Sequence, residues 1–119
     1  MATLSRPWAK VRAALWAAVA LRSARRQLRR GARPDGVRLK APRGGEEGLN
    51  GVLRVVRTVD NTCLERAVVL QHWYAAHGSR RVLFVGVTAP SSGFKAHAWL
   101  AGEDVGEEEF MELLRYEAR

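Results

Sequence analysis

Cys63 is the residue whose type and position most clearly suggest covalent chemistry. It is the only cysteine among 119 residues. It follows Thr62, which together with Glu65 fits the Ser/Thr-x-x-Glu capping box found at helix starts. Cys63 would then occupy the first helical position, where unpaired backbone N–H groups and the helix dipole favour a thiolate. Because a lone cysteine is more often a small buried hydrophobic residue, its position alone does not establish reactivity.

A histidine on a predicted strand supplies a chemical partner for this thiol. His97 lies thirty-four residues after Cys63, within the segment Phe94-Lys95-Ala96-His97-Ala98-Trp99-Leu100. In cysteine hydrolases an imidazole holds the thiolate as an ion pair and later protonates the leaving amine. His72 lies about 13 Å from Cys63 along the same predicted helix, and His77 lies farther still, so neither reaches the thiol.

The imidazole of such a pair is usually oriented by a third polar side chain. Several acidic residues follow His97, and spacing alone does not select among them: Glu103, Asp104, Glu107, Glu108 and Glu109. Each of them also fits a solvated acidic surface at the start of a helix, where negative charge is favoured.

Three helices are predicted before the first strand. The spacing of apolar residues, together with the Gly, Pro and polar residues that end helices, predicts them at about Pro7–Arg30, Leu49–Val59 and Cys63–His77. The last is expected to end in a left-handed cap at Gly78. Residues 31–51 are rich in Gly, Pro and charged residues and predict a loop or mobile linker. The apolar run inside the first helix is only nine residues long, far short of the ~20 that cross a bilayer.

The second half of the chain predicts a hairpin followed by a helix. The apolar run Val82–Val87 has the character of a central strand, and the segment containing His97 predicts a second strand antiparallel to it. Because successive side chains of a strand point to opposite faces, His97 and Trp99 are expected on one face of that strand. The stretch Glu107–Glu117 predicts a terminal helix with Phe110, Leu113 and Leu114 directed inward.

These elements predict an α+β fold in which Cys63 begins a helix packed on a small antiparallel sheet, after an amphipathic N-terminal helix. The predicted division is a basic helix at 1–30, a linker at 31–51 and a catalytic core at 52–119. With one cysteine there is neither an intramolecular disulfide nor a multi-cysteine metal site, which favours a cytoplasmic location.

The formal net charge of +8 is concentrated in residues 1–57, while 103–117 are acidic. A basic half is compatible with nucleic acid, an anionic membrane surface or an acidic protein partner. Nucleic-acid binding is disfavoured because aromatic residues are not interleaved with the arginines and no helix-turn-helix pattern is present. Trp8 and Trp16 beside a basic face suit a membrane surface or a partner protein, although a helix that simply covers the core is the plainest interpretation.

Two motifs together resemble one family. Cys63-Leu64-Glu65-Arg66-Ala67 before a long apolar helix, and Phe94-Lys95-Ala96-His97-Ala98-Trp99 after a strand, resemble lasso-peptide leader peptidases. These are small stand-alone proteases with a transglutaminase-like, papain-related core. The resemblance is strongest over about 52–107, and the pair of motifs at this separation is more specific than either motif alone.

The resemblance implies that Cys63 is the nucleophile and His97 the general base and acid. It also implies an acidic residue about a dozen positions after the histidine, often following a Val-Gly pair. Val105-Gly106-Glu107 matches this local pattern, which assigns the third role to Glu107. Because the segment before it is shorter than usual in the family, Asp104 and Glu109 remain alternatives.

The implied reaction is hydrolysis of one peptide bond in a ribosomally made precursor, which separates leader from core without a cofactor or metal. A separate ATP-dependent cyclase then closes the core, and another chain supplies the leader-binding recognition element. The Cys63 backbone N–H would contribute to the oxyanion hole, and Asn61 is the residue named for the second donor. Two alternatives stay open: an acyltransferase or transglutaminase on the same core, and a catalytically silent basic binding module.

Overall fold

The computed structural model describes residues 2–88, 93, 95–103 and 110–118. The chain forms α1 (Ala2–Arg29), a 3₁₀ turn at Pro34–Gly36, α2 (Gly45–Thr58), α3 (Cys63–Ala76), β1 (Leu83–Thr88), β2 (Ala96–Leu100) and β3 (Phe110–Tyr116). The predicted α+β class is therefore confirmed. None of the described helices combines the length and the apolarity needed to cross a membrane.

Helices α1 and α2 lie close together because small residues line their contact. Ala13, Ala17 and Ala24 of α1 are at most 1% exposed. On α2, a Cβ at Gly51 would overlap the Lys10 carbonyl oxygen of α1. The absence of a side chain at Gly51 thus allows the backbones to approach, and the alanines of α1 join the same core as Val52 and the apolar residues of α3.

Helix α3 is largely buried and carries the predicted cysteine at its first residue. Its side chains Val68, Val69 and Trp73 are at most 1% exposed. The helix ends at Ala76, and Gly78 adopts a positive φ of 85°, as predicted for a left-handed cap. The limits predicted for this helix are confirmed to within one residue.

The three strands form an antiparallel sheet in the order β2-β1-β3. The predicted hairpin is confirmed, with Leu83 opposite Leu100 and Gly86 opposite His97. One face of the sheet, which includes buried Leu83, Ala98 and Leu100, belongs to the core packed on α3. The alternation of side chains places His97 on the other face.

The predicted terminal helix at Glu107–Glu117 is wrong over its described part, because residues 110–116 form strand β3. β3 pairs along β1, with an irregularity between Val85 and Gly86 where Leu114 and Glu112 are the successive partners and Leu113 is extra. This bulge breaks the strand alternation, so the apolar residues recur at spacings that imitate a helix. Leu113 and Leu114 are exposed rather than directed inward.

The helix predicted at Leu49–Val59 begins earlier, at Gly45, so the predicted linker 31–51 is wrong over its last seven residues. Its glycines serve close packing, because a Cβ at Gly48 would lie 2.7 Å from the Trp73 ring, and one at Gly44 would lie 3.0 Å from it. The Gly-rich composition of this segment therefore predicted a loop where the first turns of α2 lie. The division into 1–30, 31–51 and 52–119 as units stays a prediction.

Candidate active site

Cys63 begins α3 because the chain immediately around it caps the helix. The backbone N–H of Glu65 donates to Thr62 Oγ1 at 3.1 Å, and the N–H of Thr62 donates to Glu65 Oε1 at 3.0 Å. This reciprocal pair is the predicted capping box, which is confirmed. It leaves Cys63 at the first helical position, where the backbone N–H groups lack intrahelical acceptors and the helix dipole favours an anion.

The thiol of Cys63 lies against the outer edge of β2. The backbone N–H of Ala98 donates to Cys63 Sγ at 3.3 Å, and the cysteine is free and half-buried. An N–H group aimed at sulfur interacts more strongly with a thiolate than with a neutral thiol. The fold therefore brings the cysteine to the residue that directly follows His97.

His97 itself is half-buried on the opposite face of β2 from Ala98. Its ring centroid lies 5.8 Å from that of Trp99 and 5.1 Å from that of Phe110. Trp99 also stacks on Phe84 at 5.6 Å. We call His97, Trp99, Phe84 and Phe110 the aromatic face. No hydrogen bond joins His97 to Cys63 in the described part of the chain, so their catalytic pairing stays a prediction.

Gly86 is a site residue that the sequence did not reveal. It lies opposite His97 on the neighbouring strand. A Cβ there would lie 2.9 Å from the Trp99 ring and 2.6 Å from the Met111 carbonyl oxygen. The absence of a side chain thus lets Trp99 lie across β1 beside His97. A glycine inside an apolar strand was the available signal, since it often marks a close approach.

The predicted third member of the site, Glu107, lies outside the described residues, as do Asp104, Glu108 and Glu109. Glu103 is described and exposed. Its Oε1 accepts a hydrogen bond from the backbone N–H of Leu100 at 3.4 Å, and its own N–H donates to the Leu100 carbonyl at 3.1 Å. In this structure Glu103 therefore closes the turn at the end of β2.

The side-chain amide of Asn61, the residue named for the second oxyanion donor, has other partners in this structure. Its Nδ2 donates to the carbonyl oxygens of Val56 at 2.8 Å and Val59 at 2.7 Å. A side-chain amide has two N–H donors, and both are used here to close the end of α2. The Cys63 backbone N–H stays the predicted donor.

A contact from the first helix fixes the turn that precedes Cys63. Arg25 of α1 donates from Nε and Nη2 to the two carboxylate oxygens of Glu65, each at 3.0 Å, and from Nη2 to the Asp60 carbonyl at 3.3 Å. The Glu65 side chain is only 8% exposed. The sequence showed the capping role of Glu65 but gave no sign of its partner forty positions away.

The charges of this pair stabilise one another. Burial alone would raise the pKa of Glu65, but the hydrogen bonds from Arg25 and the Thr62 N–H, with the charges of Arg25 and Arg29, outweigh it, so the pKa is lowered. The hydrogen bond and charge of Glu65 raise the pKa of Arg25 in turn. The turn before the cysteine is therefore held by an ionised pair.

The other two histidines have structural contacts far from the thiol. The His72 ring nitrogens lie 2.9 and 3.0 Å from the carbonyl oxygens of Val68 and Val37. His77 Nε2 accepts hydrogen bonds from the backbone N–H groups of Gly44 and Gly45, at 3.1 and 3.3 Å, and its ring stacks on Trp73 at 4.2 Å. His77 thus caps α2. In the described part of the chain, no three His, Cys, Asp or Glu residues are grouped as metal ligands.

Comparison with known proteins gives one family match. The sequence model of the Transglutaminase-like superfamily matches residues 5–118. Searches of curated proteins and of solved structures returned no match. The superfamily match extends from the first helix through the last strand and includes both Cys63 and His97, so the chain belongs to the Transglutaminase-like superfamily.

Proposed function

We propose that this protein is a cytoplasmic cysteine peptidase that cleaves the leader peptide from a ribosomally made lasso-peptide precursor. The observation that carries the proposal is the position of Cys63 Sγ, at the start of α3 and 3.3 Å from the Ala98 N–H. The superfamily, which includes cysteine proteases and acyltransferases, supports thiol chemistry at this position. The resemblance of the Cys63 and His97 motifs to leader peptidases supports the substrate.

In the proposed reaction the Cys63 thiolate attacks the carbonyl carbon of the scissile peptide bond. The Cys63 backbone N–H stabilises the resulting oxyanion. Collapse breaks the C–N bond, and the His97 imidazolium gives its proton to the departing amine of the core peptide. A thioester of the leader remains on Cys63.

Water completes the cycle. His97 removes a proton from the water as it attacks the thioester, and the leader then departs as a carboxylate while Cys63 is regenerated. Glu107 orients the imidazole in this proposal. No hydrogen bond joins His97 to Cys63 among the described residues, so the proposed mechanism requires the His97 ring and the Cys63 thiol to approach one another in the substrate complex, where catalytic hydrogen bonds often tighten.

Two partner proteins belong to the proposal. The resemblance to stand-alone leader peptidases supports a separate leader-binding recognition element that delivers the precursor. A separate ATP-dependent cyclase would consume the freed core. Neither a cofactor nor a metal takes part in the proposed hydrolysis.

Acyl transfer is a second candidate, because the superfamily includes acyltransferases. The same thioester would then be attacked by an amine instead of water. Hydrolysis yields two fragments whose masses sum to the precursor plus one water, whereas transfer yields a leader carrying the amine. Mass spectrometry of one reaction with an added primary amine therefore separates the two activities.

The experiment combines the protein with a lasso-peptide precursor and a leader-binding protein from the same organism. We expect two fragments, and a loss of roughly 10³-fold or more in rate for Cys63→Ala and for His97→Ala. Arg57→Ala, an exposed change on α2, is the matched control and should retain the wild-type rate. Equal cleavage by Cys63→Ala would refute the proposal, and binding without cleavage would favour the silent binding module.

A further inference from the structure

Helix α1 has a second apolar surface that the fold does not use. Trp8, Val11, Leu15 and Val19 are 74%, 48%, 65% and 67% exposed. We call these four residues the outer stripe. At about 100° per residue, Trp8, Leu15 and Val19 fall within about 40° of one another and opposite the buried Ala17. The outer stripe is therefore a continuous apolar surface on the solvent side of α1.

The outer stripe is concentrated, not scattered. Eight large hydrophobic side chains are exposed among the described residues, and four of them form this stripe. Single exposed hydrophobic residues are ordinary, but a contiguous patch usually marks an interaction surface. The stripe does not pack the core of this chain, and its concentration is typical of an interaction surface.

A groove runs along one side of the stripe. Leu15, Trp16 and Val19 form one wall, and Lys40, Ala41 and Pro42 form the other, around a volume of about 500 Å³. Hydrogen bonds hold the second wall in place, from Arg12 Nη2 to the Arg43 carbonyl at 2.6 Å and between Gln27 and the Arg38 backbone at 2.9 and 3.0 Å. The groove is shallow and open, and these hydrogen bonds fix an apolar strip along which a peptide segment can lie.

The charges around the groove have one sign. The ionisable residues that line it are Arg12 and Lys40, and exposed Arg22 and Arg26 extend the basic surface along α1. Residues 1–45 contain twelve Arg and Lys against one acidic residue, Asp35. A complementary partner must therefore carry negative charge beside its apolar residues, because like charges at an interface are strongly unfavourable.

We propose that the outer stripe and its groove bind an amphipathic segment of a partner protein, with apolar residues flanked by Asp or Glu. The apolar residues of that segment would cover Leu15 and Val19, and its carboxylates would face Lys40 and the arginines of α1. This proposal goes beyond the peptidase reaction. It does not depend on that reaction, since no residue of the outer stripe belongs to the Cys63 site.

The test is a selection from a display library of random 16-residue peptides on the immobilised full-length protein. We expect the enriched peptides to combine apolar residues with Asp or Glu. Their affinity should fall about tenfold or more for the double variant Leu15→Glu/Val19→Glu, because both apolar contacts are lost and two like charges face the carboxylates of the peptide. The control Met111→Glu/Leu113→Glu changes two equally exposed apolar residues of β3 and should bind like wild type.

Charge is tested separately from apolar contact. Lys40→Glu, a single change on an exposed loop, should weaken the selected acidic peptides, and added salt should do the same. Cys63→Ala should bind them unchanged, so a failure of the peptidase proposal would not be mistaken for a failure of this one.

Three results would overturn the proposal. One is a set of selected peptides that lack acidic residues or bind the Leu15→Glu/Val19→Glu variant equally well. Another is an absence of enriched peptides together with binding to phosphatidylglycerol vesicles that the same double variant abolishes, which would identify a membrane surface. The third is a wild-type dimer in sedimentation that this variant dissociates, which would make a second copy the occupant.

Discussion

The pair formed by Arg25 and Glu65 gives the sharpest test of how the fold holds the cysteine turn. Glu65→Gln keeps the side-chain volume and an oxygen that can accept from the Thr62 N–H, but it removes the charge that two Arg25 N–H groups contact at 3.0 Å. Breaking a fully buried ion pair costs about 3–5 kcal/mol, whereas exposed pairs contribute about 0–1 kcal/mol. Glu65 is 8% exposed and Arg25 is 32% exposed, so the case is intermediate. We expect Glu65→Gln to lower the free energy of unfolding by about 2 kcal/mol at pH 7.

The pH dependence of the difference in unfolding free energy between wild type and Glu65→Gln tests whether the ionised carboxylate causes it. The pKa of Glu65 is lowered in the folded protein, so between the folded and unfolded pKa values the unfolded chain binds more protons and stability rises with pH. The contribution of the carboxylate is complete above the usual glutamate pKa of about 4.3 and is lost as the pH falls through the folded value. The difference between wild type and Glu65→Gln should therefore shrink below about pH 4.

Guanidinium titrations followed by tryptophan fluorescence, at several pH values from 7 downward, measure this difference. Glu112→Gln is the matched control, because Glu112 accepts from Arg115 Nε at 2.7 Å while the two side chains are 37% and 60% exposed. Solvent screens that pair, so no measurable change is expected. The reasoning is refuted if the control destabilises as much as Glu65→Gln, or if the Glu65 difference is the same at all pH values.

Three further predictions follow from particular contacts. Gly51→Ala should destabilise the protein by about 1–3 kcal/mol in chemical denaturation, because its Cβ overlaps a carbonyl of α1, while Gly36→Ala, with open space around it, should not. His77→Ala should destabilise by about 1 kcal/mol and speed hydrogen exchange in the first turn of α2, whose N–H groups it caps. In the absence of substrate, His97→Ala should leave the rate of Cys63 alkylation by iodoacetamide at pH 7 within about twofold, because no hydrogen bond joins the two; a large decrease would show a preformed pair.

Local signals predicted the part of the site that depends on neighbouring residues. Thr62 and Glu65 lie three positions apart and satisfy one another within a single helical turn, so the start of α3 was readable from the sequence. Gly78 marked its end for the same reason, since an αL cap needs only the local backbone. The hairpin was also predictable, because an apolar run and an alternating segment face each other across one short loop.

Features that depend on distant residues were not predictable in the same way. In the sequence Arg25 is one of several basic residues of the first helix, and only the fold shows that it contacts Glu65. In the sequence Gly48 is typical of a loop, and only the fold shows that it lies in a helix against the Trp73 ring. β3 was mistaken for a helix because the extra residue at Leu113 shifts the apolar pattern. In each case tertiary packing determines the local structure or contact, and the periodicity of a short sequence window carries no information about that packing.

Helix α1 therefore has two distinct surfaces along its length. Near its C-terminal end, Arg25 holds the turn from which Cys63 projects, and Ala17 and Ala24 are buried in the core. The middle and N-terminal part carries the outer stripe, with Leu15 about 15 Å from Arg25 along the axis. A helix that only recruited a partner would not need an ionised contact with the capping box of the nucleophile. The contact is explained if α1 belongs to the same packed unit as Cys63. Under the two proposals above, the same helix would then support the cysteine turn and carry the docking surface.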